Sequence, residues 1–486
     1  MKKHAPFLLA LAVGAAGTVS GAETSWSQFR GLNSSGVSES AKPPVGFGPG
    51  TNQLWKVSVP SGASSPCIWG GQIFLTAFDG GALETLCYRR SDGALLWKGD
   101  ARAKAIEEFH PEEGSPATAT PACDGERVVS YFGSCGLVCH DLKGRELWRL
   151  ELPVAQTAGS FGSGGSPIIA GGLVLVNRDQ VSGCSLLAVD LKTGKKAWET
   201  IRPDVTQSFG TPIFWKNGGA DEVVMSGSLK LKGYDLKTGA ERWTLGGMPS
   251  FTCTTPVLGD GLLYFAGWSP GKEPSTMPTF EALAKSADAN HDGVITAEEA
   301  KAAGMGGFFK AFDVNGDGKI TPEDLDLMKA QMAKGENVLV AVKSGCHGEV
   351  SAEGVAWKQT AGLPYVPSPL FYHGRVYLVR DGGMVSCFDA KTGKPYYEKE
   401  RLEAAGSYYA SPIAADGRIY LISLKGQLSV LAAGGDQPKV LHQADFGERI
   451  CATPALEGTA LYLRTASAMY AFGRRPLKKA QTAAAE

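Results

Sequence analysis

The chain has 486 residues, with 48 lysines and arginines against 49 acidic residues and a formal net charge of −1. This balance excludes a polybasic nucleic-acid binder and an acidic tail. Glycine accounts for 63 residues and hydrophobic residues for 43%, which predicts a large core with many tight turns; a single architecture longer than about 250 residues usually grows by repetition.

The N-terminus has the order of a secretory signal: Lys2 and Lys3, an apolar run over residues 7–16, and the small residues Ser20-Gly21-Ala22. We predict a signal peptide over residues 1–22 that is cleaved after Ala22, and therefore a periplasmic or secreted protein. No other stretch approaches the length of a membrane span, so none is expected. The ten cysteines are compatible with an oxidising compartment, and their pairing is left open.

After a leader over residues 23–50, one segment recurs along the chain. Its clearest copies run from Ala188 to Trp198 and from Gly233 to Trp243, each with Asp-Leu-Lys-Thr-Gly in the middle and eight residues from Asp to Trp. The Asp and Gly of this segment predict a turn in which Asp caps the backbone and Gly supplies a positive φ. Six of the ten tryptophans occupy the same place in such a copy.

A second landmark, Ser-Pro or Thr-Pro, precedes each copy. Its prolines recur at intervals of 42 to 55 residues apart from one interval of 113. The chain therefore contains eight units, and the fifth carries about 70 extra residues. The prolines are Pro66, Pro121, Pro167, Pro212, Pro256, Pro369, Pro412 and Pro454.

Short alternating runs such as Arg375–Val379 and Arg418–Ile422 predict strands within each unit. Four such strands in 40-odd residues, repeated, are typical of a β-propeller blade. The eighth unit ends without the strand that carries the recurring tryptophan. Leu54-Trp55-Lys56 is such a strand with no unit before it, so we expect the N-terminal strand to complete the last blade. The fold class is all-β: an eight-bladed propeller in which the tryptophans pack between neighbouring blades.

The Ala-x-Asp-x-x-x-Gly-x-x-x-Trp pattern at 188–198, with the opening Trp26-Ser-Gln-Phe-Arg30-Gly31, resembles the repeat of pyrroloquinoline quinone (PQQ) dehydrogenases and their cofactor-free relatives. One relative is the propeller lipoprotein of the outer-membrane assembly machinery. The resemblance implies a propeller and leaves the chemistry open. It also implies that a quinone enzyme would have adjacent cysteines and a calcium ion inside the barrel; this sequence has no Cys-Cys dipeptide, so we expect no PQQ.

The extra residues of unit five, 270–338, contain two copies of the twelve-residue EF-hand loop, beginning at Asp288 and 25 residues later at Asp313. Such a loop gathers oxygen ligands for Ca²⁺ at positions 1, 3, 5, 7, 9 and 12 around a glycine at position 6. We predict a small α-helical insertion with two calcium sites. The ligands are Asp288, Asn290, Asp292, the carbonyl of Val294, Thr296 and Glu299 in the first loop, and Asp313, Asn315, Asp317, the carbonyl of Lys319, Thr321 and Asp324 in the second.

The second loop ends in Asp324 where the first has Glu299. The shorter side chain reaches less well for bidentate contact, so we expect this site to be weaker for calcium or more tolerant of magnesium. Ile295 and Ile320 at loop position 8 are expected to face each other in a short ribbon. Phe308 and Phe312 are expected on the helix face that packs inside the insertion.

Short polar-aromatic segments precede several of the Ser/Thr-Pro landmarks. In a propeller this position lines one mouth of the central channel, which makes Phe161, Phe209, Phe251 and Tyr408 a candidate binding surface. The alternative interpretation is that these rings close the core of each blade.

The sequence favours an exported, non-catalytic, calcium-binding propeller that acts as an interaction scaffold, as a monomer, for a protein partner in the cell envelope. The alternatives are a divergent PQQ-dependent dehydrogenase or another periplasmic oxidoreductase, and a part of an envelope-assembly complex. The predicted organisation is propeller blades over 51–269, the EF-hand insertion over 270–338, further blades over 339–475 and a tail over 476–486.

Overall fold

The computed structural model describes residues 25–110, 114–157, 159, 161–181, 183–206, 208–270 and 278–474. The predicted signal peptide and C-terminal tail lie outside these residues. Within them, the period-two strands form eight antiparallel sheets arranged as an eight-bladed propeller, as predicted. No helix in the described ranges is long and apolar enough to cross a membrane.

The N-terminal strand β1 is Gln53–Ser58. The strands of the first four blades are, in order, β2–β5 (Cys67–Trp69, Gln72–Asp79, Ala82–Arg89, Leu95–Asp100), β6–β9 (Ala122–Cys123, Arg127–Phe132, Gly136–Asp141, Glu146–Glu151), β10–β13 (Ile168–Ala170, Leu173–Arg178, Ser185–Asp190, Lys196–Ile201) and β14–β17 (Ile213–Asn217, Ala220–Gly227, Lys230–Asp235, Glu241–Gly246).

The fifth blade begins with β18 (Val257–Gly259) and β19 (Leu262–Gly267), and is interrupted there by the insertion. The insertion contains α1 (Phe280–Ala287), β20 (Ile295–Thr296), α2 (Ala297–Ala302), α3 (Phe309–Phe312), β21 (Lys319–Ile320) and α4 (Pro322–Met332). The blade resumes with β22 (Val338–Lys343) and, after the short β23 (Gly348–Glu349), ends with β24 (Val355–Gln359). Single 3₁₀ turns occur at Leu32–Ser34, Gly306–Phe308 and Ala352–Gly354.

The last three blades are β25–β28 (Leu370–Tyr372, Arg375–Arg380, Met384–Asp389, Pro395–Arg401), β29–β32 (Ile413–Ala415, Arg418–Ile422, Gln427–Ala432, Lys439–Asp445) and β33–β35 (Ala455–Glu457, Ala460–Arg464, Ala468–Gly473). Strand β1 pairs antiparallel with β35, with Trp55 opposite Ala471, and supplies the fourth strand of the eighth blade. The predicted closure by the N-terminal strand is therefore confirmed.

The recurring Asp-x-Lys-Thr-Gly segment forms the turn between the third and fourth strands. In the third blade, Asp190 Oδ1 accepts the N–H of Thr193 at 2.8 Å, and Gly194 adopts a φ of +71°. The tryptophan of the preceding blade packs on this glycine: a Cβ at Gly194 would lie 2.6 Å from the ring of Trp148. The indole N–H of Trp148 donates to the carbonyl of Leu191 at 2.9 Å. The same indole-to-carbonyl bond joins four other neighbouring blades, through Trp55, Trp97, Trp198 and Trp357.

Trp243 is the exception, because the fifth blade lacks this turn. The loop that connects β22 to β24 reaches back instead, and its strand β23 pairs parallel with β17 to give the fourth blade a fifth strand. The indole N–H of Trp243 then donates to the buried carboxylate of Glu222 at 2.7 Å.

The leader crosses one end of the channel from blade to blade. Trp26 exchanges backbone hydrogen bonds with Ile68 of the first blade, and the side chain of Asn33 bonds both the N–H and the carbonyl of Phe214 in the fourth. Arg30, which is fully buried, donates to the carbonyls of Pro369 and Pro412 in the sixth and seventh blades. The leader therefore closes this end of the channel, and we call residues 26–38 the floor segment.

Candidate functional site

The eight Ser/Thr-Pro landmarks form a continuous hydrogen-bonded ring around the channel. In each blade the backbone N–H of the serine or threonine donates to the side-chain hydroxyl oxygen of the equivalent residue in the next blade, at 2.9–3.1 Å. We call these residues the hydroxyl ring: Ser65, Thr120, Ser166, Thr211, Thr255, Ser368, Ser411 and Thr453. Because proline follows each of them, the chain direction is fixed as it enters the innermost strand.

The hydroxyl ring encircles a central cavity of about 190 Å³. All eight of its residues line this cavity, and Phe29 of the floor segment lines it as well. With one end of the channel crossed by the floor segment, the cavity is approached from the opposite end.

Aromatic side chains line the cavity on that opposite side, and we call them the aromatic rim: Phe161, Phe209, Phe251, Tyr365 and Tyr409. Among the first four, each ring contacts the ring of the next residue in this series. The centroids of Phe161 and Phe209 lie 6.4 Å apart, those of Phe209 and Phe251 5.3 Å apart, and those of Phe251 and Tyr365 6.1 Å apart. Ring contacts of this kind stabilise a fixed apolar surface.

Three of the four aromatic residues singled out from the sequence are thus together at the cavity, but Tyr408 is not among its lining residues. Its ring is 1% exposed in a core cluster shared by the sixth and seventh blades, where its hydroxyl donates to the carbonyl of Ala404 at 2.6 Å. Tyr408 therefore packs in the core, as in the alternative interpretation of these rings, and its neighbour Tyr409 lines the cavity instead. Successive residues of an extended chain point to opposite sides, which is why the two neighbours differ.

The cavity lining carries no charge. Among the described residues that line it there is no Asp, Glu, Lys, Arg or His. Cys253 also lines it, and burial raises the pKa of its thiol to about 12, which keeps the thiol neutral. This lining does not fit a carboxylate-bearing quinone held with a calcium ion, because the quinone's carboxylates need cationic partners and the ion needs carboxylate ligands, and the described lining offers neither.

A buried carboxyl group lies behind the rim. Glu107 is 2% exposed, and its Oε2 accepts a hydrogen bond of 2.8 Å from the hydroxyl of Ser163. Burial raises the pKa of Glu107 to about 7, although the hydrogen bond from Ser163 and the charge of Arg178 act in the opposite direction.

The first EF-hand loop turns its oxygen atoms inward through hydrogen bonds from its own backbone. The two oxygens of Asp288 accept the N–H groups of Asp292 and Gly293 at 3.2 and 3.1 Å. Glu299 spans the loop, since its carboxylate accepts the N–H of Ala289 at 3.2 Å and that of Thr296 at 3.0 Å. The bond from Thr296 lowers the pKa of Glu299, which keeps this carboxylate charged.

The second loop repeats this geometry, with Asp313 accepting the N–H groups of Asp317 and Gly318 at 3.1 and 3.0 Å. The residue at its position 12 differs. Asp324 is fully buried, and its two oxygens accept three backbone N–H groups at 3.0–3.2 Å and the hydroxyl of Thr321 at 2.6 Å. Glu299 likewise accepts the hydroxyl of Thr296 at 2.9 Å. The two carboxylates therefore differ by one hydrogen bond and in burial, because Glu299 is half-buried and Asp324 is fully buried.

Strands β20 and β21 join the two loops in an antiparallel ribbon in which Ile295 faces Ile320, as predicted. Gly293 and Gly318 at loop position 6 have φ values of +83° and +87°. Across the described ranges, no three His, Cys, Asp or Glu side chains are placed together to hold a metal ion. An EF-hand loop also uses amide, hydroxyl and backbone carbonyl oxygens, and the inward-turned oxygens of both loops fit such a mixed site.

One expectation about the insertion is wrong. Phe312 packs in the insertion's core as predicted, but Phe309 and not Phe308 accompanies it. The 3₁₀ turn Gly306–Phe308 precedes α3, so the α-helical period does not extend back to Phe308. Phe308 faces the propeller instead, with its ring centroid 6.0 Å from that of Phe161.

Sequence reasoning missed the hydroxyl ring as a structure, since Ser and Thr at these positions served only to mark the repeat. Their strict restriction to hydroxyl-bearing residues in all eight units was the available signal. Tyr365 and Phe29 were also missed, because a single aromatic residue in a loop carries no periodicity. Tyr409 belongs to the recurring polar-aromatic segment 407–409, within which Tyr408 was chosen instead.

Comparison with known families gives two matches. The family model for outer membrane protein assembly factor BamB matches residues 87–250 and 348–471. An EF-hand model matches residues 285–301 and 307–329. No curated protein sequence matches this chain.

Among solved structures, the chain is similar to BamB from Moraxella catarrhalis, with 14% identity, a TM-score of 0.53, and 87% of this chain and 99% of that chain covered. It is also similar to a europium-containing methanol dehydrogenase, with 11% identity, a TM-score of 0.58, and 93% and 98% covered. The computationally designed Ika8 protein is 12% identical, with a TM-score of 0.55 and 87% and 99% covered. At these identities the likeness establishes the propeller fold alone.

Proposed function

The chain belongs to the family of outer membrane protein assembly factor BamB, and from that premise we propose that it is an exported, calcium-binding β-propeller that acts as a non-catalytic scaffold for a protein partner in the cell envelope. The observation that carries this proposal is the seating of the EF-hand insertion on the aromatic rim, through the contact of Phe308 with Phe161. A metal module and a candidate binding surface that touch are expected to serve one task.

Calcium binding is supported by the EF-hand match and by the inward-turned oxygens of both loops. We propose the twelve ligands given above, with the first site stronger. A weaker second site is supported by the full burial of Asp324 and by its four accepted hydrogen bonds, one more than Glu299 accepts, because a metal must compete with these bonds for the same oxygens.

The aromatic rim and the uncharged cavity are the proposed docking surface for the partner. Aromatic rings at a concave, uncharged site favour an apolar or aromatic side chain of the partner, because a charged one would lose its hydration without gaining a counter-charge. The hydroxyl ring below the rim offers polar groups to any part of the partner that enters the cavity.

Non-catalytic action is supported by the chemistry of the cavity, whose described lining holds neither a charged group nor an acid and base within reach of each other. The rival proposal, a quinone dehydrogenase, requires a cofactor that this lining does not fit. The methanol dehydrogenase neighbour supports only a shared fold.

Affinity capture tests the proposal. The mature protein and its Phe209→Ala variant are used as bait against the protein's own envelope fraction, with calcium and with a chelator. We expect a partner that is captured with calcium and is lost with the variant, since Phe209 lies in the middle of the rim. Identical captures by both baits contradict the docking surface, and reconstitution with PQQ that gives dye-linked alcohol oxidation contradicts non-catalytic action.

A further inference from the structure

The EF-hand insertion reaches the aromatic rim through one aromatic side chain. Phe308 lies edge to face with Phe161, at 6.0 Å and an interplanar angle of 82°. Phe161 makes a second edge-to-face contact with Phe209 at 6.4 Å and 83°. The insertion is thus connected by direct ring contacts to the residues that line the cavity.

The propeller is shaped to receive Phe308. Gly159 has a φ of +64°, and a Cβ at this position would lie 2.6 Å from the ring of Phe308. Beside it, Lys310 Nζ donates to Oε1 of Gln156 at 2.7 Å. An apolar contact that depends on the absence of a side chain, with a polar bond next to it, indicates a fitted interface.

Phe308 is also close to the metal loops. It precedes α3, the four-residue helix that ends at Phe312, and the first ligand of the second loop, Asp313, follows directly. The rings of Phe308 and Phe312 lie 6.1 Å apart, and Phe312 packs in the insertion's core. A single helical turn therefore separates Phe308 from the first residue of the second loop.

The end of the insertion is fixed to the propeller at a different point. Asn337 accepts the N–H of Ser269 at 2.9 Å and donates to the carbonyl of Ser269 at 3.2 Å. The insertion is therefore held to the propeller at this end as well as at Phe308 and Lys310.

We infer that calcium bound by the EF-hand pair holds Phe308 against Phe161 and thereby orders the aromatic rim of the cavity. This inference rests on the proposed function and adds the regulation of its binding surface. Calcium neutralises the clustered carboxylates and makes the loops rigid, which fixes α3 and the phenyl ring that precedes it. Without calcium the loops loosen, Phe308 leaves Gly159, and the rim loses its outer packing partner.

Amide hydrogen exchange of the full mature protein, measured with calcium and with chelator, tests the inference. In the wild type we expect calcium to slow exchange of the amides from Phe161 to Gly165 by roughly threefold or more, because ordering raises the local opening free energy. Phe308→Ala should remove this protection while calcium still binds with the same heat, since Phe308 is not a ligand. Leu327→Ala is the matched control, because Leu327 is a similarly exposed apolar residue of the insertion, at 42% against 36% for Phe308.

The two loops provide a second comparison. Asp313→Ala should abolish the rim protection, because Asp313 adjoins α3, whereas Asp288→Ala should retain part of it through the ribbon of Ile295 and Ile320. If the wild type binds calcium and the rim exchanges at an unchanged rate, or if Phe308→Ala keeps the protection, the inference is overturned and the proposed calcium binding stands. If no calcium binds at all, the proposed function fails and the inference with it.

Discussion

The backbone N–H of Thr453 donates a hydrogen bond of 3.0 Å to Oγ of Ser65, and so links the eighth blade to the first. The propeller is closed twice as a result. At the outer edge β1 completes the sheet of the eighth blade, and at the axis this bond completes the hydroxyl ring. The bond at the axis joins residues 388 positions apart in sequence, and the residues paired at the outer edge are more than 400 positions apart.

The hydroxyl ring predicts the effect of removing one hydroxyl. Ser65→Ala leaves the buried N–H of Thr453 without its acceptor, which is expected to lower the free energy of unfolding by about 1–3 kcal/mol. Ser65→Thr is the control, because threonine occupies the same place in four other blades and keeps the acceptor. Denaturant unfolding measures both; equal losses for the two variants would mean that the acceptor contributes nothing.

The packing of tryptophan on the turn glycine predicts a second difference. Gly194→Ala and Gly172→Ala both place alanine at a positive φ, +71° and +79°, but only the Cβ at 194 would collide with a ring, that of Trp148. Overpacking adds about 1–3 kcal/mol, so the Gly194 variant should be destabilised more than the Gly172 variant by that amount. Thermal or denaturant unfolding of the two variants measures this difference. Equal stabilities would show that the indole of Trp148 moves aside without cost.

Calorimetric calcium titration tests the two metal sites. The wild type is expected to show two sites of unequal affinity, Asp288→Ala to lose the stronger one and Asp313→Ala the weaker one. Each substitution removes the ligand at position 1 of its loop. A titration without saturable heat, or Asp288→Ala indistinguishable from the wild type, would contradict calcium binding.

A longer carboxylate at position 12 of the second loop is predicted to raise the calcium affinity of that loop. Asp324→Glu should raise calcium affinity at this site and reduce its tolerance of magnesium, since glutamate reaches for bidentate contact as Glu299 does in the first loop. Glu323→Gln removes an adjacent exposed charge that is not a ligand, and should change affinity far less. An unchanged affinity in Asp324→Glu would show that chain length at position 12 does not limit the site.

The buried Glu107 predicts a pH dependence of stability. Burial raises its pKa in the folded protein from 4.5 to about 7. Between these values the folded protein keeps a proton that the unfolded chain has released, so this group's contribution to stability falls as the pH rises through the window. Glu107→Gln, which carries no charge at any pH, should therefore be more stable relative to the wild type at pH 8 than at pH 4, by roughly 1–3 kcal/mol.

Denaturant unfolding at the two pH values checks this prediction, with the exposed Glu403→Gln as the control. The variant has to be compared with the wild type because the buried Asp179 also makes stability depend on pH between 4 and 8. Burial raises the pKa of Asp179 to about 7 although Arg202 lies 2.5 Å away. A Glu107→Gln difference that is the same at both pH values would show that folding does not shift the pKa of Glu107.

Much of the fold could be predicted because the repeat is local. The Asp190–Gly194 turn, the strand alternation and the position of Trp198 each depend on a few neighbouring residues, and their recurrence gave the number of blades. The EF-hand loops were predictable for the same reason, since each is one contiguous segment of the chain. The place of Phe308 was predicted incorrectly, because its partner Phe161 is distant in sequence and the 3₁₀ turn before α3 interrupts the helical period.

The sequence by itself determined the elements whose residues act on their own neighbours: strands, turns, blade order and EF-hand loops. The tertiary structure alone decided what the closed ring brings to one place. The hydroxyl ring, the floor segment under the cavity and the contact of Phe308 with the aromatic rim join residues from opposite ends and separate blades of the chain. Such contacts leave no periodic trace in a sequence, because closing the propeller sets the distances between blades while local spacing sets only the distances within one.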